Sequence, residues 1–126
     1  MSGRLLLVDD DDSIREIARL SLERVGDWEV VAAAGGAEAI EIASGDGGFG
    51  LLVLDVMMPG IDGPTTLARL RAGPLAATVP AIFLTAKLQP ADRERLRALG
   101  AAGVIAKPFD PMALPGEIER ILKGGS

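Results

Sequence analysis

Apolar residues along this chain follow two rhythms in alternation. Short unbroken runs, "RLLLV" (Arg4 to Val8), "WEVVAA" (Trp28 to Ala33), "LLVLD" (Leu51 to Asp55), "PAIFLTA" (Pro80 to Ala86) and "AGVIA" (Ala102 to Ala106), have the length and the continuity of strands covered on both faces. Between them apolar residues recur at helical spacing. In "SIREIARLSLERVG" the set is Ile14, Ile17, Ala18, Leu20 and Leu22, with Gly26 placed to close the helix. Further helices are expected at "AEAIEIA" (Ala37 to Ala43), at "TTLARLRA" after Pro64, at "PADRERLRAL" and at "DPMALPGEIERIL". In the last of these Asp110 reads as an N-cap, and Pro115 is expected to kink the helix or delay its regular start.

Strict β/α alternation without internal repeats implies one α/β domain, a mostly parallel sheet with helices on both faces. The expected structured core runs over about residues 4–122 of a single domain, 1–126, with 123–126 ("KGGS") as a tail or linker stub. In open sheets of this class ligands bind beyond the carboxyl ends of the strands. The residues there are Asp9 and Asp10 after the first run, Asp55 after the third, Thr85 and Ala86 after the fourth, and Lys107 and Pro108 after the fifth. The second run ends in "AAGG" and supplies no comparable group. Three carboxylates on one edge repel each other and resist full ionisation unless a cation joins them. A hard divalent ion relieves the repulsion, and Mg²⁺ suits a site of few carboxylates, waters and phosphate. A carboxylate can then serve as nucleophile towards a phosphoryl group, forming an aspartyl phosphate. Lys107 can neutralise phosphoryl oxygens, and the Thr85 hydroxyl can donate to one of them.

Composition narrows the chemistry further. The chain of 126 residues is 48% hydrophobic and 25% charged, which suits a globular domain with a substantial core. Aromatic residues make up 3%, so Leu, Ile, Val and Ala must build that core. A net charge of -5 without a basic run argues against nucleic-acid binding by this chain alone. The absence of cysteine and histidine excludes disulfides, Ser–His catalysis and His-ligated zinc. No signal-type or membrane-spanning stretch is visible, so no membrane insertion and a cytoplasmic location are expected.

"LLVDD", "LLVLDVMMPGIDG", "PAIFLTA" and "VIAKPF" occur in the order and at the spacing of the receiver domain of bacterial two-component response regulators, and the chain resembles that family over essentially its whole length. The resemblance implies a flavodoxin-like fold with strand order 2-1-3-4-5. It implies Asp55 as the phosphoacceptor. Asp10 would be the direct metal ligand, Asp9 a metal acid acting mainly through water, and Met57 a ligand through its backbone carbonyl. Thr85 would be the switch hydroxyl and Lys107 the family lysine, with a cis bond to Pro108. Ala86 matches the small residue that leaves room at the site. Implied partners are a sensor histidine kinase or histidine phosphotransfer protein and a downstream effector or output domain, with a homodimer open. Such a domain catalyses its own phosphorylation and hydrolysis without being a conventional enzyme. Met57 and Lys87 occupy positions that tune phosphoryl lifetime in the family. One departure stands out: Val104 replaces the family's Tyr or Phe, so a shift of the loop after the fourth strand, or of the next helix, is expected to carry the signal.

Two other functions compete. An aspartyl-nucleophile phosphatase would share the chemistry, but usually carries a second acid where this chain has Met57. A phosphorylation-independent module would usually have lost an acid or the lysine, and none is lost here. Asp11 and Asp12 are assigned to the helix start, with Asp12 or Ser13 as cap and Ser13 with Glu16 as a capping box. Asp62 reads as a turn or cap residue, and Arg93, Arg95 and Arg97 as a solvated face. Trp28 is expected at the sheet edge opposite the site.

Overall fold

Each apolar run forms a strand, and each helical pattern a helix. The computed structural model describes residues 3–45, 48–73 and 78–124, so parts of the expected loop at 44–48 and of the tail at 123–126 lie outside the described residues. In chain order the elements are β1 (Arg4–Val8), α1 (Asp12–Arg24), β2 (Glu29–Ala33), α2 (Gly36–Gly45), β3 (Leu51–Asp55), α3 (Gly63–Ala72), β4 (Ala81–Thr85), α4 (Pro90–Ala98), β5 (Gly103–Ala106) and α5 (Leu114–Leu122). The strands pair in parallel, in the order β2-β1-β3-β4-β5.

Continuous apolar strands are explained by two cores rather than one. Leu6, Val8, Leu52, Leu54, Ala81, Phe83 and Val104 point to one face, where α2, α3 and α4 supply Ala39, Ala43, Leu67, Leu70 and Leu96. The alternate positions, Leu5, Leu7, Leu51, Val53, Ile82, Leu84 and Ile105, point to the other, against Ala18, Leu22, Leu114, Ile118 and Ile121 of α1 and α5. A strand with both faces covered has no position left for a polar residue until it ends. That is why the acids and hydroxyls sit at the strand ends or just past them.

Several helix starts differ from expectation. Asp11, not Asp12 or Ser13, caps α1: its carboxylate accepts from the Ile14 N–H at 3.0 Å. Asp12 already lies inside the first turn and pairs with Arg15 at 2.6 Å. Glu16 pairs with Arg19 at 2.6 Å, so the expected capping box with Ser13 gives way to an ion pair along the helix. Asp62 caps α3 as expected, accepting from the Thr65 N–H at 2.8 Å. Pro115 delays α5, whose regular turns begin at Leu114. Asp110 therefore caps the preceding turn, accepting from the Met112 N–H at 2.9 Å, rather than α5 itself. At the end of α1 the left-handed conformation falls on Asp27, at φ 60°, and not on Gly26. Gly26 is needed for closeness instead, since a Cβ there would lie 2.9 Å from both the Leu22 carbonyl oxygen and the Pro115 side chain.

Candidate functional site

Four of the five strands deliver one polar group each, or two, to the same sheet edge. β1 ends at Val8, and the Asp9 N–H makes the last ladder bond, to the Ala33 carbonyl at 3.2 Å. Beyond it the carboxylates of Asp9, Asp10 and Asp55 place oxygen atoms within 4.8 Å of one another. Asp9 is fully buried, Asp55 is buried and Asp10 is exposed. Lys107 reaches in from the end of β5. Its ammonium lies 2.8 Å from Asp9 Oδ2 and 3.2 Å from Asp55 Oδ1. Its own backbone is anchored by a bond from the Lys107 N–H to the Thr85 carbonyl at 2.8 Å, and the Lys107–Pro108 bond is cis as the resemblance implied.

The charge balance is unequal: three acids face one ammonium. Burial, and then the charge of Asp9, push the Asp55 carboxyl up to about 6, and Lys107 only partly opposes them. Burial works against the Lys107 charge, but the hydrogen bond and charge of Asp9, followed by those of Asp55, leave its pKa raised. Among the described residues Asp9 Oδ2 is buried without a hydrogen bond of good geometry, although the Lys107 ammonium lies 2.8 Å away. A buried carboxylate oxygen short of donors, beside two further carboxylates, is a donor set that a hard divalent cation fits.

The other residues named from the sequence are Thr85, Met57, Lys87, Ala86 and Val104, and two more join them. Thr85 is buried, and its hydroxyl donates to the Lys87 carbonyl at 3.1 Å while accepting from the Lys87 N–H at 3.0 Å. It is thus held by its own loop. Met57 is 70% exposed, which leaves little packing constraint on its identity. Lys87 and Ala86 are exposed at the same edge. Val104 is buried in the core with Phe83 and Leu96, and Leu88 packs against that cluster. Arg95 and Arg97 of α4 are exposed, in keeping with a solvated face, whereas Arg93 is half-buried.

The first addition is Gly63, the last residue of "MMPGIDG". A Cβ there would stand 2.3 Å from the Asp55 carbonyl oxygen and 3.0 Å from Val56 Cα, so only glycine lets α3 begin directly against the Asp55 backbone. The second is Arg15, whose Nη1 donates to the Asp9 carbonyl at 2.9 Å. Its spacing of three from Asp12 was the available signal.

Comparison with known proteins shows the family. A family model described as the response regulator receiver domain matches residues 5–119. The chain is similar to the probable transcriptional regulator ycf27 of Cyanophora paradoxa, 41% identical over 120 residues that cover 95% of this chain and 48% of that one. It is similar to the alkaline phosphatase synthesis transcriptional regulatory protein PhoP of Bacillus subtilis, 36% identical over 123 residues covering 98% of this chain and 50% of that one. The chain thus spans about half the length of the curated relatives it matches. Among solved structures, the chemotaxis response regulator CheY4 of Vibrio cholerae superposes with a TM-score of 0.86 at 31% identity, over 96% of this chain and 99% of that one.

Proposed function

This chain belongs to the response regulator receiver domain family, and on that premise we propose that Asp55 is its phosphoacceptor, with Asp9, Asp10 and the Met57 carbonyl holding Mg²⁺ and with Thr85 and Lys107 contacting the phosphoryl group. The observation that carries the reading is the convergence of Asp9, Asp10 and Asp55 on one point at the carboxyl edge of the sheet, with Lys107 bridging two of them. Mg²⁺, when bound, offsets the acids' repulsion and the charge of an incoming phosphoryl group.

The chain has no histidine, so the phosphoryl group comes from a phosphohistidine outside these residues. An Asp55 carboxylate oxygen attacks phosphorus, the O–P bond forms as the donor's N–P bond breaks, and the freed imidazole leaves with the partner. Lys107 already faces Asp55 Oδ1 and is placed to pair with a phosphoryl oxygen. For Thr85 to donate there, its hydroxyl must leave the Lys87 carbonyl, which draws the loop after β4 towards the site. Leu88 in that loop packs against the core cluster that contains Val104, Phe83 and Leu96, so the movement is transmitted to the seat of α4 without an aromatic at position 104. A kinase or phosphotransfer protein supplies the signal, and an effector or attached output domain reads it. The domain, residues 4–122 in one piece, acts as a signalling switch and not as a conventional enzyme.

Incubation with acetyl phosphate and Mg²⁺, followed by intact mass measurement, tests the assignment. We expect one added phosphoryl group on the wild type and none on Asp55→Asn. Equal modification of both proteins would overturn it.

A further inference from the structure

We infer that Arg15 is a positioning residue for the metal-binding acids, acting through the main chain of the β1–α1 loop; this rests on the metal reading above. Asp9 lies one residue past the end of β1, where the ladder no longer fixes the chain on both sides. Its carbonyl accepts from Arg15 Nη1 at 2.9 Å, while Arg15 Nη2 lies 2.6 Å from Asp12 Oδ1. One planar guanidinium therefore ties the start of the loop to the first turn of α1. Two further bonds close the same turn. The Asp11 N–H donates to Asp9 Oδ1 at 2.9 Å, and the Asp11 carboxylate accepts from the Ile14 N–H at 3.0 Å. The peptide between Asp9 and Asp10 is held from the helix side by Arg15. Its orientation decides where the exposed Asp10 carboxylate stands relative to Asp9 and Asp55. The Arg15 side chain is only 21% exposed, whereas Asp12 is 89% exposed, so the better-shielded half of this fork is the one on the acid loop.

Positioning and simple charge predict opposite signs. Arg15 brings a cation to the loop that carries Asp9 and Asp10, so its removal strengthens the acids' pull on Mg²⁺ if only Coulomb attraction matters. If Arg15 instead holds the loop, its removal loosens the site and weakens Mg²⁺ binding. Outer-shell groups that orient metal ligands typically contribute about 10- to 100-fold in affinity.

The test is Mg²⁺ binding by isothermal titration calorimetry, well below the unfolding temperature, on wild type, Arg15→Met, Arg15→Lys and Arg19→Met. Arg19 sits one turn along α1 and among the described residues pairs with Glu16 and Glu23, so its variant reports loss of a helix cation whose ion pairs lie along the helix and not on the loop. We expect the Kd of Arg15→Met to rise about tenfold, that of Arg15→Lys to rise less because a single ammonium restores part of the contact, and that of Arg19→Met to stay within twofold. An unchanged or tighter Kd in Arg15→Met, or an equal rise in Arg19→Met, would overturn the inference. Absence of Mg²⁺ heat in the wild type would instead sink the metal assignment on which it stands.

Discussion

Asp55 shares its pocket with two other carboxylates and a single ammonium, and this imbalance makes stability depend on pH. Its carboxyl is pushed up to about 6 by burial and by the neighbouring Asp9 charge, from an ordinary value of 3.8. Between those two values the folded protein keeps a proton that the unfolded chain has released. The stability that Asp55 contributes is therefore present below about 4 and is lost as pH rises through 6. Asp55→Asn removes this titration. In Mg²⁺-free buffer the thermal midpoint of Asp55→Asn should gain on that of wild type as pH is raised from 4 to 7. Excess Mg²⁺ at pH 7 should shrink the gap, because the ion stabilises the folded wild type. A gap independent of pH would show that the Asp55 carboxyl titrates alike in both states. Two site residues were hidden from sequence reading for physical reasons. Gly63 is defined by a clash with the Asp55 backbone, which no spacing rule anticipates. Arg15 looks like any charged residue on a solvated helix until its guanidinium is seen on the Asp9 carbonyl.

At the scale of elements, the run "VDDDD" resolves into four different tasks. Asp9 is buried in the site, Asp10 faces out beside it, Asp11 caps α1, and Asp12 pairs with Arg15. Sequence reading assigns Asp11 and Asp12 to the helix start, where they stand, but puts the cap one or two residues too late. Several adjacent acids can each cap a helix; the register is chosen by how soon the backbone can turn after β1, and the Asp9 carboxylate binding the Asp11 N–H closes that turn early. Asp11→Ala should cost about 1 kcal/mol in urea unfolding. Asp12→Ala, which loses only an exposed ion pair, should cost no more than a few tenths of that. The reverse order would return the cap to Asp12. The same logic explains α5. A proline is tolerated in the first turn but not deeper, so Pro115 sets the start at Leu114 and leaves Asp110 to cap the turn before it.

For the whole molecule, the sheet separates the site from the opposite edge. Trp28 immediately precedes β2 at its amino end and is buried among side chains of the α1–α5 face. The acids stand just past the carboxyl end of β1 and at that of β3. Trp28 emission should therefore follow global unfolding but change little on Mg²⁺ addition. Strong quenching by Mg²⁺ would mean that the start of β2 moves with the site. Among the described residues, no helix is long and apolar enough to cross a membrane. The fold was legible almost throughout, because strands packed between two layers must be continuously apolar and helices on one face must be periodic. The strands begin or end within a residue or two of the apolar runs.

What the sequence determined by itself was the class of fold and the set of polar groups at the strand ends. Burial on both faces forces polar residues out of the strands, so those that remain at the ends are conspicuous. The order of the strands came from resemblance, since periodicity says nothing about which strand neighbours which. What only the tertiary structure decided was proximity. Asp9 and Asp55 are 46 positions apart, and Lys107 is 52 further on. Their meeting at 2.8 and 3.2 Å depends on β1 lying beside β3 and on β5 ending level with Thr85. The cap at Asp11, the glycine against Asp55 and the arginine on the acid loop are likewise consequences of distance, which a linear pattern does not contain.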